Sequence, residues 1–344
     1  MAQLKSGSTA GGNVILTAAA GSVDNAHISG MAASKLTGAL PAIDGSALTG
    51  NVRSGRKNLI INGGFDVWQR GTSLTAVASY LADRWLNGQS ETQTRQTFTV
   101  GQTDVPGNPT YYHRGAGGAL NWYEMTQKME DVRLTAGREV TLSYWAKGDS
   151  TFTNQIYVTQ DFGTSGSTSV GAAQSTANIT TSWARYTHTF TLASITGKTV
   201  GANSFLRVYV ARANVANIVI DIANVQLELG SVATDFEHRS YGEELALCQR
   251  YYEVILGGHL VVIPDGSNTG VTSGTALFKV SKRVSPTCSS FTLAHANGGS
   301  SYSGRTVGAA STYGVRGANY GGAGQLSTDW TYSNDTAITC DAEL

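Results

Sequence analysis

Apolar and polar residues alternate with a period of two along much of the chain, the pattern of strands with one face buried. Val140, Leu142, Tyr144 and Ala146 fall on one face, and Thr141, Ser143, Trp145 and Lys147 on the other. Tyr186, His188, Phe190 and Leu192 alternate with Thr187, Thr189 and Thr191. Leu206, Val208 and Val210 alternate with Arg207, Tyr209 and Ala211. Ile218, Ile220 and Ile222 share a face, and then Val225, Leu227 and Leu229 do. The phase slips between Ile222 and Val225, which predicts a β-bulge there. Strands of this kind, joined by long polar connections, predict a jelly-roll β-sandwich over residues 57–238.

The period then changes. Ser240 and Glu243 form an S-x-x-E capping box. Leu245, Cys248 and Tyr252 follow on one apolar stripe, which predicts a helix from Tyr241 to about Tyr252 inside a linking segment, 239–252. From Glu253 onward the pattern is again that of strands, with candidates at 260–263, 276–280, 290–293 and 337–340. Glycine clusters around Gly298, Gly308 and Gly321 separate them, and a small C-terminal β-sandwich over 253–344 is expected. Residues 1–56 differ from everything after them. They hold no aromatic residue, repeat Leu36-Thr37-Gly38 as Leu48-Thr49-Gly50, and space their apolar residues too widely for one chain to build a core. Such a segment is either a flexible linker or a thin rod whose core several chains share. The rod is the favoured reading, with a homotrimer as its expected assembly. The fold class is therefore all-β, with an extended N-terminal segment, a jelly-roll sandwich, a short linking helix and a small C-terminal sandwich.

Composition narrows the function. Of 344 residues only 14% are charged, and Lys+Arg equals Asp+Glu at 24 each. A chain so balanced carries no electrostatic footprint for a nucleic-acid backbone, and no stretch suits membrane insertion. The start, Met1 to Gly7, lacks the pattern of a signal peptide. Cys248, Cys288 and Cys340 make an odd set without a CxxC pair, so a zinc site is not expected. Cys288 and Cys340 could be neighbours in one small domain, but buried reduced thiols are the favoured reading. Enzymatic motifs are weak: Thr196-Gly197-Lys198-Thr199 lacks the leading glycine of a P-loop, and no HExxH or GxSxG occurs. The chain is not expected to be an enzyme.

Several stretches resemble known families. Asn58-Leu59-Ile60-Ile61-Asn62-Gly63-Gly64-Phe65-Asp66 looks like the opening strand of jelly-roll carbohydrate-binding modules. The run from Ile220 to Glu228 is similar to their closing strand. The string from Gln226 to Glu237, followed by Leu247-Cys248-Gln249-Arg250-Tyr251-Tyr252, is similar to one seen in many bacteriophage tail-fibre proteins. Phe278 to Thr287 and the terminal Cys340-Asp341-Ala342-Glu343-Leu344 look like the small β domain that ends such proteins, and the Leu-Thr-Gly repeat resembles fibre attachment segments. The resemblance implies a tail fibre assembled in the host cytoplasm and carried on the virion. Its partners would be other virion proteins, through residues 1–56, and host-surface polysaccharide. The alternative is a virion component without a receptor, such as a head fibre, collar or tail decoration protein.

The carbohydrate-binding resemblance also implies a calcium ion tying the first strand to the last. Asp66 and Asp221 would be its carboxylate ligands, with a carbonyl near Gly63 assisting. Asp66 stands where that family has Glu. The competing reading of Asp221 is a side chain that simply points to solvent. Sugar binding would use exposed aromatic rings, because a pyranose presents a C–H face that stacks on them. The candidates are Trp85, Tyr111, Tyr112, Trp122, Trp145 and Trp183. Trp145 stands out, since it lies on the strand face opposite Leu142 and Tyr144. For each ring the competing role is packing in the core or at a trimer interface.

Overall fold

In the computed structural model, the residues described are 56–76, 78–88, 91–118, 123–255, 261–262, 272–289, 291–295, 302–305, 307–318, 331–332 and 337–344. The expected trimeric rod, 1–56, lies almost wholly outside them, as do parts of the C-terminal strand candidates.

Twelve strands build the sandwich: β1 (Ser73–Ala76), β2 (Ser79–Tyr80), β3 (Leu86–Asn87), β4 (Glu91–Thr97), β5 (Tyr111–Ala116), β6 (Tyr123–Glu130), β7 (Glu139–Gly148), β8 (Phe152–Asp161), β9 (Val170–Ile179), β10 (Ala184–Thr191), β11 (Phe205–Ala213) and β12 (Val219–Leu229). They form two six-stranded antiparallel sheets, ordered β1-β4-β5-β12-β7-β10 and β2-β3-β6-β11-β8-β9. The alternation read from sequence is the observed one. Val140, Leu142, Tyr144 and Ala146 of β7 meet Leu206 and Val208 of β11 in a single buried core with Ile220, Ile222, Val225 and Leu227 of β12. The phase slip is real: β12 shifts register against β7 between Ala223 and Gln226, and Asn224 between them has φ 49°. Ile222 and Val225 can both face inward only because of that extra residue.

The opening run closes the sandwich by backbone and amide bonds. Leu59 N donates to the Leu227 carbonyl at 2.9 Å, and Val225 N to the Gly63 carbonyl at 2.9 Å. Asn58 bridges the two ends: its Nδ2 donates to Val225 O, while its Oδ1 accepts from Ile60 N and Leu227 N. A side chain at position 63 would put its Cβ 2.1 Å from the Val225 carbonyl oxygen, so only glycine fits. Asn62 is fully buried, donating to Val67 O and Asp83 O and accepting from Val67 N.

After β12 the chain turns back over its own sheet. Thr141 Oγ1 donates to Gly230 O at 2.7 Å, Thr234 N to the buried Glu228 carboxylate at 2.9 Å, and Glu237 N to Gln226 Oε1 at 2.8 Å. This strap, residues 230–238, covers Thr141 and Ser143, which alternation alone would leave in solvent. Helix α1 (Tyr241–Gln249) follows, with Ser240 as N-cap accepting from Glu243 N. The capping box is half made, because the Glu243 carboxylate pairs with Arg56. The helix also ends earlier than its apolar stripe predicts. Tyr252 opens the strand Tyr252–Ile255 instead of closing the helix.

That strand pairs with Ile338–Asp341, which pairs in turn with Thr287–Cys288. Register sets Cys288 directly opposite Cys340, and the two form a disulfide. The expectation of reduced thiols fails there. A sequence separation of 52 hid the cross-strand pairing. Cys248 alone is free, and it is buried. No helix among the described residues is long and apolar enough to cross a membrane.

Candidate functional site: an aromatic and cationic groove

The outward face of the first sheet is built in cross-strand rows. Thr94 on β4 pairs with Arg114 on β5, Arg114 with Asp221 on β12, and Asp221 with Lys147 on β7. Ala146 pairs with Ala184, so Trp183, just before β10, falls beside Lys147, whose Nζ lies 5.3 Å from the indole. In the neighbouring row Gln96 pairs with Tyr112, Ala223 with Trp145, and Trp145 with Arg185. Phe98, Tyr112 and Trp183 close into a cluster, with ring centroids 4.6, 5.3 and 5.4 Å apart.

A pocket of about 270 Å³ adjoins this cluster. Its floor is Ser143, Trp145 and Arg185; its walls come from the strap, as Asp235, Phe236 and His238, and from Pro106 and Gly107 of the β4–β5 loop. Gly107 has φ 83°, and a Cβ there would lie 2.5 Å from His238 Nε2, so loop and strap meet closely only because this residue is glycine. A smaller hollow of about 100 Å³ continues past Phe236 and His238 to Asp66, Asn108 and Thr110.

Charge is distributed unevenly. Asp221 accepts two bonds from Arg114, at 2.6 and 2.8 Å, and lies 3.7 Å from Lys147. Its carboxylate holds the Arg114 guanidinium well above the usual arginine range, partly offset by burial. The Tyr112 phenol is pushed up by burial and by Asp221. Burial also raises Asp66, with Glu244 adding to the shift and His238 opposing it. Arg185 donates to Ser143 Oγ at 3.3 Å and to the Thr234 carbonyl, and no carboxylate among the described residues pairs with it.

The sequence candidates divide. Trp145 lines the pocket, and Trp183 and Tyr112 stand in the aromatic cluster on the same sheet face. Tyr111 does not join them, because adjacent strand residues face opposite ways; Arg95 stacks on its ring from the other side. Trp85 is a correction: it is fully buried beside Phe65 and its Nε1 donates to the Asn62 carbonyl, so it is core. Trp122 lies outside the described residues. The calcium set is a second correction. Asp221 neither faces solvent nor stands free, since Arg114 and Lys147 neutralise it, and the Gly63 carbonyl accepts from Val225 N. The residues do not fit the ion, and among the described residues no group of three or more His, Cys, Asp or Glu could hold a metal. Hydrogen bonds already tie the irregular opening run, residues 58–63, to β12. Sequence reasoning missed Arg185, Asp235, Phe236 and His238. Of these, Arg185 alone carried a signal: it shares the outward phase of Thr187 and Thr189.

These elements define an antiparallel β-sandwich with a walled aromatic groove on one face. No family model matches the chain, and no curated protein matches it. Among solved structures, 49% of the chain is similar to 98% of a family 4 carbohydrate-binding module, at 16% identity and TM-score 0.32. It is likewise similar to the xylan-binding CBM22-2 domain of Paenibacillus barcinonensis Xyn10C, over 43% of this chain and 92% of that one, at 15% identity and TM-score 0.31. A third similarity is to the enzymatically active domain of tailspike protein 4 of bacteriophage CBA120, over 50% of this chain and 21% of that one, at 14% identity and TM-score 0.33. These overlaps are loose and partial, so what the groove can bind is read from its own residues.

Proposed function

We propose that the protein is a bacteriophage tail fibre whose sandwich binds host-surface polysaccharide in the groove. The observation that carries the glycan part is the Trp145 pocket on the same sheet face as the Phe98–Tyr112–Trp183 cluster. Trp145 supplies a stacking surface for a sugar's C–H face, while Ser143, Arg185 and Asp235 supply donors and acceptors for its hydroxyls. Support for the virion part is the tail-fibre-like string Gln226 to Glu237 with Leu247 to Tyr252, together with the Leu-Thr-Gly repeat. The protein acts by binding and breaks no bond. Each contact is weak, and three groove copies per fibre raise avidity.

The test is capture of bacterial cells and their extracted polysaccharides by the full chain displayed on beads. Binding is expected, and Trp145→Ala should weaken it by about 2 kcal/mol, roughly thirtyfold. Failure to bind any polysaccharide would make the protein a virion component without a receptor. Shortened polysaccharide after incubation would make it an enzyme.

A further inference from the structure

From the charge layout of the groove, and resting on the glycan reading above, we infer that its ligand is an acidic polysaccharide, with a carboxylate-bearing sugar at the Trp183 end and a neutral sugar in the Trp145 pocket. At the Trp183 end two cations share one carboxylate. Asp221 is sunk in the sheet, its side chain 3% exposed, while the side chains of Arg114 and Lys147 above it are 37% and 31% exposed. A ligand lying on this face therefore meets the two cations and not the anion between them. Lys147 Nζ lies 5.3 Å from the centre of the Trp183 ring, so a sugar resting against this cluster brings its ring substituents near the ammonium group. A carboxylate there gains a charge-assisted bond from Lys147 and from whatever donors Arg114 leaves free of Asp221.

The pocket is different. Arg185 has no carboxylate partner, but Asp235 is exposed on the facing wall and repels an anion. Arginine facing aspartate across a tryptophan suits the hydroxyls of a neutral sugar. Trp145 lies on β7 and Trp183 just before β10, two register positions along, which separates them by about 8 Å from strand geometry, so one saccharide chain can reach both rings.

The experiment is titration calorimetry of the full chain with acidic oligosaccharides, oligogalacturonates and oligosaccharides that alternate uronic acid with neutral sugar, against the same oligosaccharides after carboxyl reduction. Dextran sulfate and duplex DNA serve as plain polyanions. The acidic forms should bind about tenfold tighter than the reduced forms, the ratio one charge-assisted hydrogen bond supplies. The alternating oligosaccharides should bind best. Lys147→Gln should bring the ratio of acidic to reduced binding close to one, and Lys147→Arg should restore it. Equal or tighter binding of the reduced forms would overturn the acidic assignment and leave the glycan reading standing. Binding of dextran sulfate or DNA as tight as that of the acidic sugars would overturn it too, by showing attraction to charge without stacking. No binding of any saccharide, native polysaccharides included, would end both readings.

Discussion

Two regions of the sandwich use the same side-chain types to opposite ends. In the groove, Lys147 lies over Trp183 and Arg114 pairs with Asp221, and both cations stay about one-third exposed. At the junction with the C-terminal strands, Arg84 lies 3.4 Å from the centre of the Tyr251 ring and pairs with Glu343, with 1% of its side chain exposed. Beside it Arg70 lies 3.6 Å from the Tyr252 ring centre and contacts Asp83, Asp341 and Glu343. Lys282 is sealed completely, 2.5 Å from Glu253. Cations over rings and beside carboxylates stay open to a ligand when water reaches them and act as mortar when it does not. The difference is set by what covers each sheet. The strap 230–238 leaves the Trp183 end open, whereas Tyr251 and residues 341–344 close over Arg84.

The sharpest way to break the comparison is at Lys282. Lys282→Met leaves the Glu253 carboxylate buried without its cation, and the loss expected in a denaturant melt is about 3–5 kcal/mol. The double variant Lys282→Met/Glu253→Leu should recover most of that loss, since matched apolar groups need no partner. A double variant as unstable as the single one would mean that the pair is not the cause. The disulfide comes next. Reducing Cys288–Cys340 opens a loop of 52 residues, at an expected loss of about 2–4 kcal/mol. It should be visible as a lower melting midpoint in reductant, with saccharide binding at the groove unaffected while the fold persists.

Much of this was readable beforehand, and the reason is local. Alternation over β7, β10, β11 and β12 is a property of neighbouring residues, and so is the slip at Asn224. Trp145 and Lys147 could be placed on an outward face from phase alone. Tyr111 and Tyr112 could have been separated by the same rule. Trp85 could not be placed, because it lies in an irregular segment where no period applies. The pocket walls, Asp235 to His238 against Pro106 and Gly107, come from two loops far apart in sequence. The Asp221–Arg114 pair spans 107 residues, and only the sheet order brings its partners together. A calcium ion was only what a likeness of strand ends implied, and the likeness did not carry the neighbouring cations.

A smaller effect separates buried histidine from exposed charge. His113 is sealed between Phe65 and Trp68, bonded to Gln93, and burial lowers its pKa to about 3. An unfolded chain protonates this histidine near its ordinary 6.5, while the folded one does not. The stability it confers is therefore present above about pH 6.5 and drains away as pH falls toward about 3, at roughly 1.4 kcal/mol per pH unit. Asp83 works the other way. Burial raises its pKa, so the folded state takes up its proton first and gains on acidification over the window between its ordinary and its folded values. The wild-type chain should thus lose only part of the histidine effect between pH 7 and pH 5. His113→Asn should become more stable over that interval, and chemical denaturation at the two pH values would show it. A variant that loses stability as the wild type does would show that another group carries the acid sensitivity.

The smallest expected change lies back in the groove. Lys147→Gln removes one of two cations from Asp221, yet Arg114 keeps both of its bonds to that carboxylate. Lys147 lies 3.7 Å away with 31% of its side chain in water, which screens the attraction. Stability should change by no more than about 0.5 kcal/mol, the range of ordinary surface substitutions. Set against the several kcal/mol expected at Lys282, this difference tests whether exposure alone separates the two regions. If Lys147→Gln proved as costly as Lys282→Met, the groove's cations would be part of the frame, and their openness to a ligand would be incidental. If the melt is unchanged while the preference for acidic sugar is lost, Lys147 is held at the surface for what it meets from outside.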